Sequence, residues 1–235
     1  MLSDNLTYLV VNLASLTVPL AFSFEHRISF FKQWKYWLPA ILIPGLIFII
    51  WDVLFTRWGV WGFSQQYITG IHWFGLPVEE WMFFFCIPYA CLFSYAALKH
   101  LIPGTVNPKA SSWITSLLAG GLLAAALFNL DKAYTATTFI LLSLTLLFHL
   151  KWIASDYMGR FYLTYLFILI PFFLVNGVLT GGYLDKVVVW YKDLENLGIR
   201  MVTHPVEDTF YGMILNLSNV TINEHLKKCK PEEIY

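Results

Sequence analysis

The sequence predicts an all-α, polytopic membrane protein of about seven transmembrane helices arranged as a 3+1+3 parallel repeat. Three observations carry that prediction. Hydrophobic residues fill 58% of the 235 positions and charged residues only 13%, against roughly a quarter charged in a soluble domain. Apolar runs long enough to cross a bilayer recur along the chain. A proline followed by paired acids occurs twice, in matching surroundings. Mean hydropathy of +0.62 agrees with lipid as the solvent. Fifteen Lys and Arg balance fifteen Asp and Glu, so no basic field attracts nucleic acid.

The spans follow in order. The first is 6–24; residues 1–7 contain Asp4 but no Lys or Arg, and the run is long enough to span, so no cleaved signal is expected. The second is 38–55 and the third 77–98. The fourth, 113–128, is small-residue-rich: Ala119, Gly120, Gly121, Ala124, Ala125 and Ala126 offer a face that lets neighbouring backbones approach. The fifth, sixth and seventh are 133–150, 161–180 and 205–222. Lys and Arg in the loops set the orientation. With the N-terminus outside and the C-terminus cytoplasmic, the inner segments hold Arg27, Lys32, Lys35, Lys99, Lys109, Lys151, Arg160, Lys227, Lys228 and Lys230. The outer ones hold Arg57, Lys132, Lys186, Lys192 and Arg200.

Two stretches match. Leu76-Pro77-Val78-Glu79-Glu80-Trp81-Met82-Phe83 reappears as His204-Pro205-Val206-Glu207-Asp208-Thr209-Phe210-Tyr211. Upstream, the second and sixth spans each end in a polar group, Asp52 and Asn176, with Thr56 and Thr180 close behind. Aromatic, charged linkers at 24–37 and 148–162 join the first two spans of each half. The chain therefore divides into a three-helix unit at 1–105, a connecting helix at 106–130 and a second three-helix unit at 131–235. An even number of crossings separates the units, so they are parallel. Parallel repeats pair about an axis along the membrane normal, with a site commonly at their interface.

Glu79-Glu80 and Glu207-Asp208 open the third and seventh spans. Proline suits a first helical turn, and carboxylates there meet the positive end of the helix dipole. One such copy is simply a good helix start. Two copies, each matched by Asp52 or Asn176 on a preceding helix ending on the same side, point to chemistry. Insertion scales put an Asp at a helix centre at roughly +2.5 to +3.5 kcal/mol, a cost that marks intramembrane acids as functional. Trp51, Trp58, Trp61, Trp73, Trp81, Phe83, Phe84 and Phe85 surround them. Aromatic faces attract cations, so proton donors walled by rings suit the making and guarding of a carbocation. An interfacial belt accounts for most of the ten Trp.

His204 directly precedes Pro205, whereas His72 lies five residues before Pro77. That unequal spacing argues against a His-plus-carboxylate metal site. Cys86 and Cys91 would not face each other within a helix, and Cys229 stands alone, so no disulfide framework or thiolate metal site is expected.

Trp51-Asp52, Gly59-Val60-Trp61-Gly62-Phe63, Leu76-Pro77-Val78-Glu79-Glu80 with Pro88-Tyr89, Asn176-Gly177-Val178-Leu179-Thr180 and Pro205-Val206-Glu207-Asp208 together resemble the lycopene cyclase domain family. These are small integral-membrane carotenoid cyclases, and the likeness is to the fused two-domain form of the heterodimeric bacterial type. The resemblance implies a lycopene β-cyclase of the cell membrane: an intramolecular lyase, or isomerase, of carotenoid biosynthesis. An acid protonates the terminal double bond, the C5–C6 double bond attacks the cation at C1, and a base removes a proton from C6. It implies Glu79, Glu80, Glu207 and Asp208 as catalytic acids and bases. It places Trp51, Asp52, Trp81, Phe83, Tyr89, Asn176 and Tyr211 at the substrate, Asp52 and Asn176 as positioning groups. It also implies a lipid-soluble partner, lycopene, in contact with membrane lipid, and association with other carotenoid enzymes. No cofactor is implied, in keeping with the lack of a Gly-x-Gly-x-x-Gly stretch.

Other readings stay open. A carotenoid end-group hydratase of the same family would let water capture the same cation. A small 3+1+3 transporter shares the helix order but needs a wettable path near the midplane, and the aromatic surroundings suit a lipid-soluble substrate better. A retinal protein would need a Lys in the last helix, and none occurs between Met201 and Leu226.

Overall fold

The computed structural model describes residues 4–153, 156–182 and 184–229; Lys230, used above for orientation, lies outside them. Among the described residues are seven α-helices: α1 Thr7–Phe22, α2 Trp34–Arg57, α3 Val78–Leu101, α4 Pro108–Leu127, α5 Ala133–Phe148, α6 Met158–Leu179 and α7 Val206–Cys229. Each overlaps one expected span. Six are long and apolar enough to cross a membrane. The seventh, α7, is as long as α2 and α3 but more polar, because Glu207, Asp208, Asn216, Asn219 and Asn223 lie on its buried side. Polar groups are tolerated in a membrane helix when they face the bundle interior, and α7 turns them there. The chain is a multi-pass, all-α membrane protein.

Helices pack in pairs distant in sequence, α1 along α3 and α2 along α7, while α4 lies against α5. The small-residue face expected on α4 is only half used. Ala119 and Ala126 are buried, but Gly120 and Gly121 face outward with nothing near them. At 3.6 residues per turn, contiguous positions cannot share one face.

The loops between α2 and α3 and between α6 and α7 contain short strands that the apolar pattern does not announce. They are β1 Trp61–Phe63, β2 His72–Trp73, β3 Leu76–Pro77, β4 Val189–Tyr191, β5 Arg200–Met201 and β6 His204–Pro205. β2 and β3 form a hairpin whose two turn residues, Phe74 (φ 53°) and Gly75 (φ 90°), are both left-handed, the geometry that matches strand twist in a two-residue loop. β5 pairs antiparallel with β6 ahead of α7 through a two-residue turn in which Val202 alone is left-handed (φ 60°). Each hairpin is tied back at its helix start: Val78 N–H donates to Ile71 O and Val206 N–H to Ile199 O, both at 2.9 Å.

One ladder joins the two loops. β1 and β4 run antiparallel with Gly62 opposite Trp190, flanked by Trp61–Tyr191 and Phe63–Val189. The Trp190 ring lies across Gly62 so closely that a Cβ there would fall 2.4 Å from it. Only glycine fits. Gly62→Ala is expected to push Trp190 off the ladder and destabilise the protein by about 1–3 kcal/mol, the usual range for overpacking. Gly120→Ala, in open space on a helix, should be neutral or stabilising by up to ~1 kcal/mol. Thermal unfolding of both variants in detergent checks the contrast.

Candidate active site

Because α3 and α7 both begin at a hairpin and run in the same direction, their first turns sit at one level. Glu79 and Glu80 occupy the first turn of α3, Glu207 and Asp208 that of α7. Adjacent helical positions point about 100° apart, so the members of each pair separate. Glu79 Oε1 accepts the Thr69 N–H at 2.7 Å, and Glu207 Oε1 accepts the Leu197 N–H at 2.8 Å and the Thr135 hydroxyl at 2.5 Å. Both reach back ten residues along the chain. Both are fully buried. These two acids bind the hairpins onto the helices.

Glu80 and Asp208 turn the other way, into a common cavity with Asp52. The cavity is tight, with a volume of about 80 Å³, below the ~300–1,000 Å³ usual for small-molecule sites. Tyr8 of α1 donates to Glu80 at 2.5 Å. Tyr134 of α5 and Tyr191 of β4 donate to Asp208 at 2.7 and 3.0 Å. Asp52 accepts from the Trp61 indole and, at 3.3 Å, from the Thr56 hydroxyl, and its carboxyl adjoins that of Glu80. Among the described residues no Lys, Arg or His lines the cavity; the Arg200 guanidinium lies over the Tyr191 ring, 5.7 Å from its centroid. Burial, and then the Asp208 carboxyl beside it, hold the Tyr191 phenol well above its ordinary pKa range, so Tyr191 stays a hydrogen-bond donor.

Among the aromatic residues, Trp61, Phe83, Phe84 and Tyr211 line the cavity. Trp51 stands behind Tyr211, their ring centroids 5.0 Å apart. Trp58 and Trp73 are exposed, as an interfacial belt would be. Trp81 is outside the lining and donates its indole N–H to Trp73 O at 3.3 Å. Tyr89 is also outside it, buried against Phe30 and Trp37 with its hydroxyl on Ser23. Asn176 and Thr180 do line it. The histidines are far from alike. His72 is exposed, with Nδ1 on Gly70 O. His204 is buried, stacked on Phe173 at 5.4 Å, and burial, with Arg200 next, lowers its pKa to about 4.

Sequence reasoning missed the three tyrosines. Tyr8 and Tyr134 sit near the starts of α1 and α5. Extending the match between halves from the acids to these helices would have found both. Tyr191 lies in a loop and carries no such signal.

The lycopene cyclase family model matches residues 5–98 and 131–226. The chain belongs to the lycopene cyclase family. No curated protein and no solved structure matches it.

The two acids of each pair should therefore fail differently. Glu79→Ala leaves the half-buried Thr69 N–H without its acceptor, a loss of about 1–3 kcal/mol. Glu80→Gln keeps a side-chain oxygen for Tyr8 and should unfold within ~1 kcal/mol of the parent. Unfolding midpoints in detergent measure both.

Proposed function

We propose that this chain closes the acyclic end group of lycopene into a β-ring, a redox-neutral isomerisation that needs no cofactor. One observation supports this above the rest: three buried carboxyls, three tyrosine hydroxyls and a wall of aromatic rings converge on one cavity that no basic side chain lines. Uncompensated charges in such a place are costly. The economical arrangement keeps protons among the carboxyls, which is the resting state of an acid catalyst.

In this reading the adjoining Asp52 and Glu80 carboxyls supply a proton to C2 of the terminal double bond, leaving a tertiary cation at C1. The C5–C6 double bond forms the C1–C6 bond and the cation moves to C5. Asp208, with two phenols aimed at it, removes the proton from C6 and restores the C5–C6 double bond. One proton enters and one leaves, so product and substrate have the same mass. Trp61, Phe83, Phe84 and Tyr211 face the cation with π-electrons. Glu79 and Glu207 position the catalytic turns rather than transfer protons. Asn176 occupies the place in α6 that Asp52 holds in α2 and orients the substrate.

The site lies between two copies of one unit, at 1–105 and 131–235, joined by the helix at 106–130. Matching contacts support this: Tyr8 to Glu80 and Tyr134 to Asp208, Thr69 to Glu79 and Leu197 to Glu207, and the paired hairpin closures. The β1–β4 ladder centred on Gly62–Trp190 is what a two-fold axis along the membrane normal produces. Nine described basic residues on the opposite side against five on the cavity side support an N-terminus outside and a cytoplasmic C-terminus.

Membranes containing the chain should convert lycopene to cyclic product of unchanged mass with nothing added. Product one water heavier would identify a hydratase, and dependence on reduced nicotinamide or flavin would refute the mechanism. Glu80→Gln and Asp208→Asn should each accumulate normally and lower the rate about 10²–10⁴-fold, the usual contribution of a general acid or base. Chromatography of pigments beside a protein blot reads both.

A further inference from the structure

The acid cavity is short for a carotenoid, whose end group continues into a long, straight, apolar chain. A second hollow begins where the cavity ends. It shares Phe83, Ile87, Phe172 and Asn176 with the cavity and continues between α1, α3 and α6 as a groove of about 320 Å³. Ala14 and Ser15 of α1, Ala90 and Ser94 of α3, and Ile168 and Pro171 of α6 form its walls. Small side chains face inward at α1 and α3, so the groove is a gap left by deletion of bulk. From Phe83 to Ser94 it follows α3 for about 16 Å at 1.5 Å per residue, around half the ~30 Å hydrocarbon thickness of a bilayer.

The other flank of the cavity is shut. There α2 and α7 meet through ring contacts, Phe48 with Tyr211 at 4.8 Å and Trp51 with Tyr211 at 5.0 Å. The two halves thus match at the acids and differ in what lies beside them. One side is plugged by aromatics and the other opens into an apolar channel within membrane-spanning helices.

We propose that the α1–α3–α6 groove holds the conjugated chain of the carotenoid, admitting one end group at a time from the lipid to the acids. This rests on the carotenoid reading above, and it adds where the rest of the molecule lies. The continuous lining makes the groove part of one site rather than a separate apolar face. A chain held there brings the end group to Glu80 from the α3 side, past Phe83, and points its far end into the bilayer. The second end of the same molecule can react only after release and re-binding.

The test fills the groove without touching the acids. Ala90→Phe narrows the α3 wall, and Ala14→Phe, at an exposed position, narrows the α1 wall with little risk to folding. Ile170→Phe on the exposed side of α6 is the control. Full-length protein in nanodiscs is loaded with lycopene, and retained pigment per chain and cyclisation kinetics are measured. Both groove variants should retain at least about tenfold less lycopene and raise KM by a similar factor, as expected for lost apolar contact. Their kcat at saturation should stay within about twofold of the parent, and the control should match the parent throughout. Unchanged retention in both groove variants overturns the proposal, as does a fall in kcat at constant KM, or a fall only in co-purified phospholipid. A parent that retains lycopene but cyclises nothing refutes the reaction and leaves the groove judged by retention alone. A parent that retains none refutes the groove.

Discussion

Three carboxyls stand inside an apolar bundle with no basic side chain among the described residues lining their cavity, and most of the surrounding architecture supplies their hydrogen bonds. Water cannot do so in the membrane interior, so each acid must find a donor within the protein. Asp52 takes Trp61 and Thr56, Glu80 takes Tyr8, and Asp208 takes Tyr134 and Tyr191. Those donors come from α1, α2, α5 and the loops carrying β1 and β4. The helix pairs α1–α3 and α5–α7 are held together at their polar ends by these bonds, and the apolar packing below can be loose by comparison. A neutral core would have no need of so many phenols at one level.

The loops are the second consequence. A helix that starts with two acids in lipid exposes its first N–H groups unless something covers them. The β2–β3 and β5–β6 hairpins do this, and Glu79 and Glu207 fasten them by accepting backbone N–H groups ten residues upstream. Each acidic pair therefore divides its labour: one acid builds the turn and the next faces the cavity. The β1–β4 ladder then ties the two loops into a single cap, with Gly62 giving Trp190 room to lie flat.

Much of this was legible in the sequence, for stated reasons. Span positions follow from apolar length, which lipid enforces strictly. That Glu80, Asp208 and Asp52 stand out as candidates follows from the cost of acids in such spans. What could not be read was the division within each pair, since Glu79 and Glu80 are chemically alike and only helical rotation separates them. Trp81 neighbours the acids in sequence and Tyr89 entered through the family resemblance, yet helix geometry sends Tyr89 into the packing of Phe30 and Trp37. Gly120 and Gly121 looked like a contact face, but composition does not say which side of α4 meets α5. The tyrosines were hidden for a different reason. A phenol reads as hydrophobic in a span, and its role appears only when the acid it bonds arrives from 72 or 74 residues away.

In the proposed two-unit arrangement, two similar halves about one axis would be expected to make two similar sites, yet their acids meet in one cavity. The reason is that the acids lie close to the axis: the first turns of α3 and α7 point at the same cavity, so their carboxyls are neighbours rather than copies. Once they share a space, strict symmetry becomes a disadvantage. Four equivalent carboxyls there would repel one another, and replacing one of them by Asn176 removes a charge while keeping a hydrogen-bonding group. The same reasoning covers the aromatic plug on the α2–α7 side. In the proposed reaction a cation formed among the acids has to be kept from water, and a cavity open on two flanks would be harder to keep dry than one open on a single apolar side. On the proposed reading, departure from symmetry at Asp52 and Asn176, and at Tyr211 and Phe83, would separate proton donor from acceptor and mouth from wall within a frame otherwise built twice.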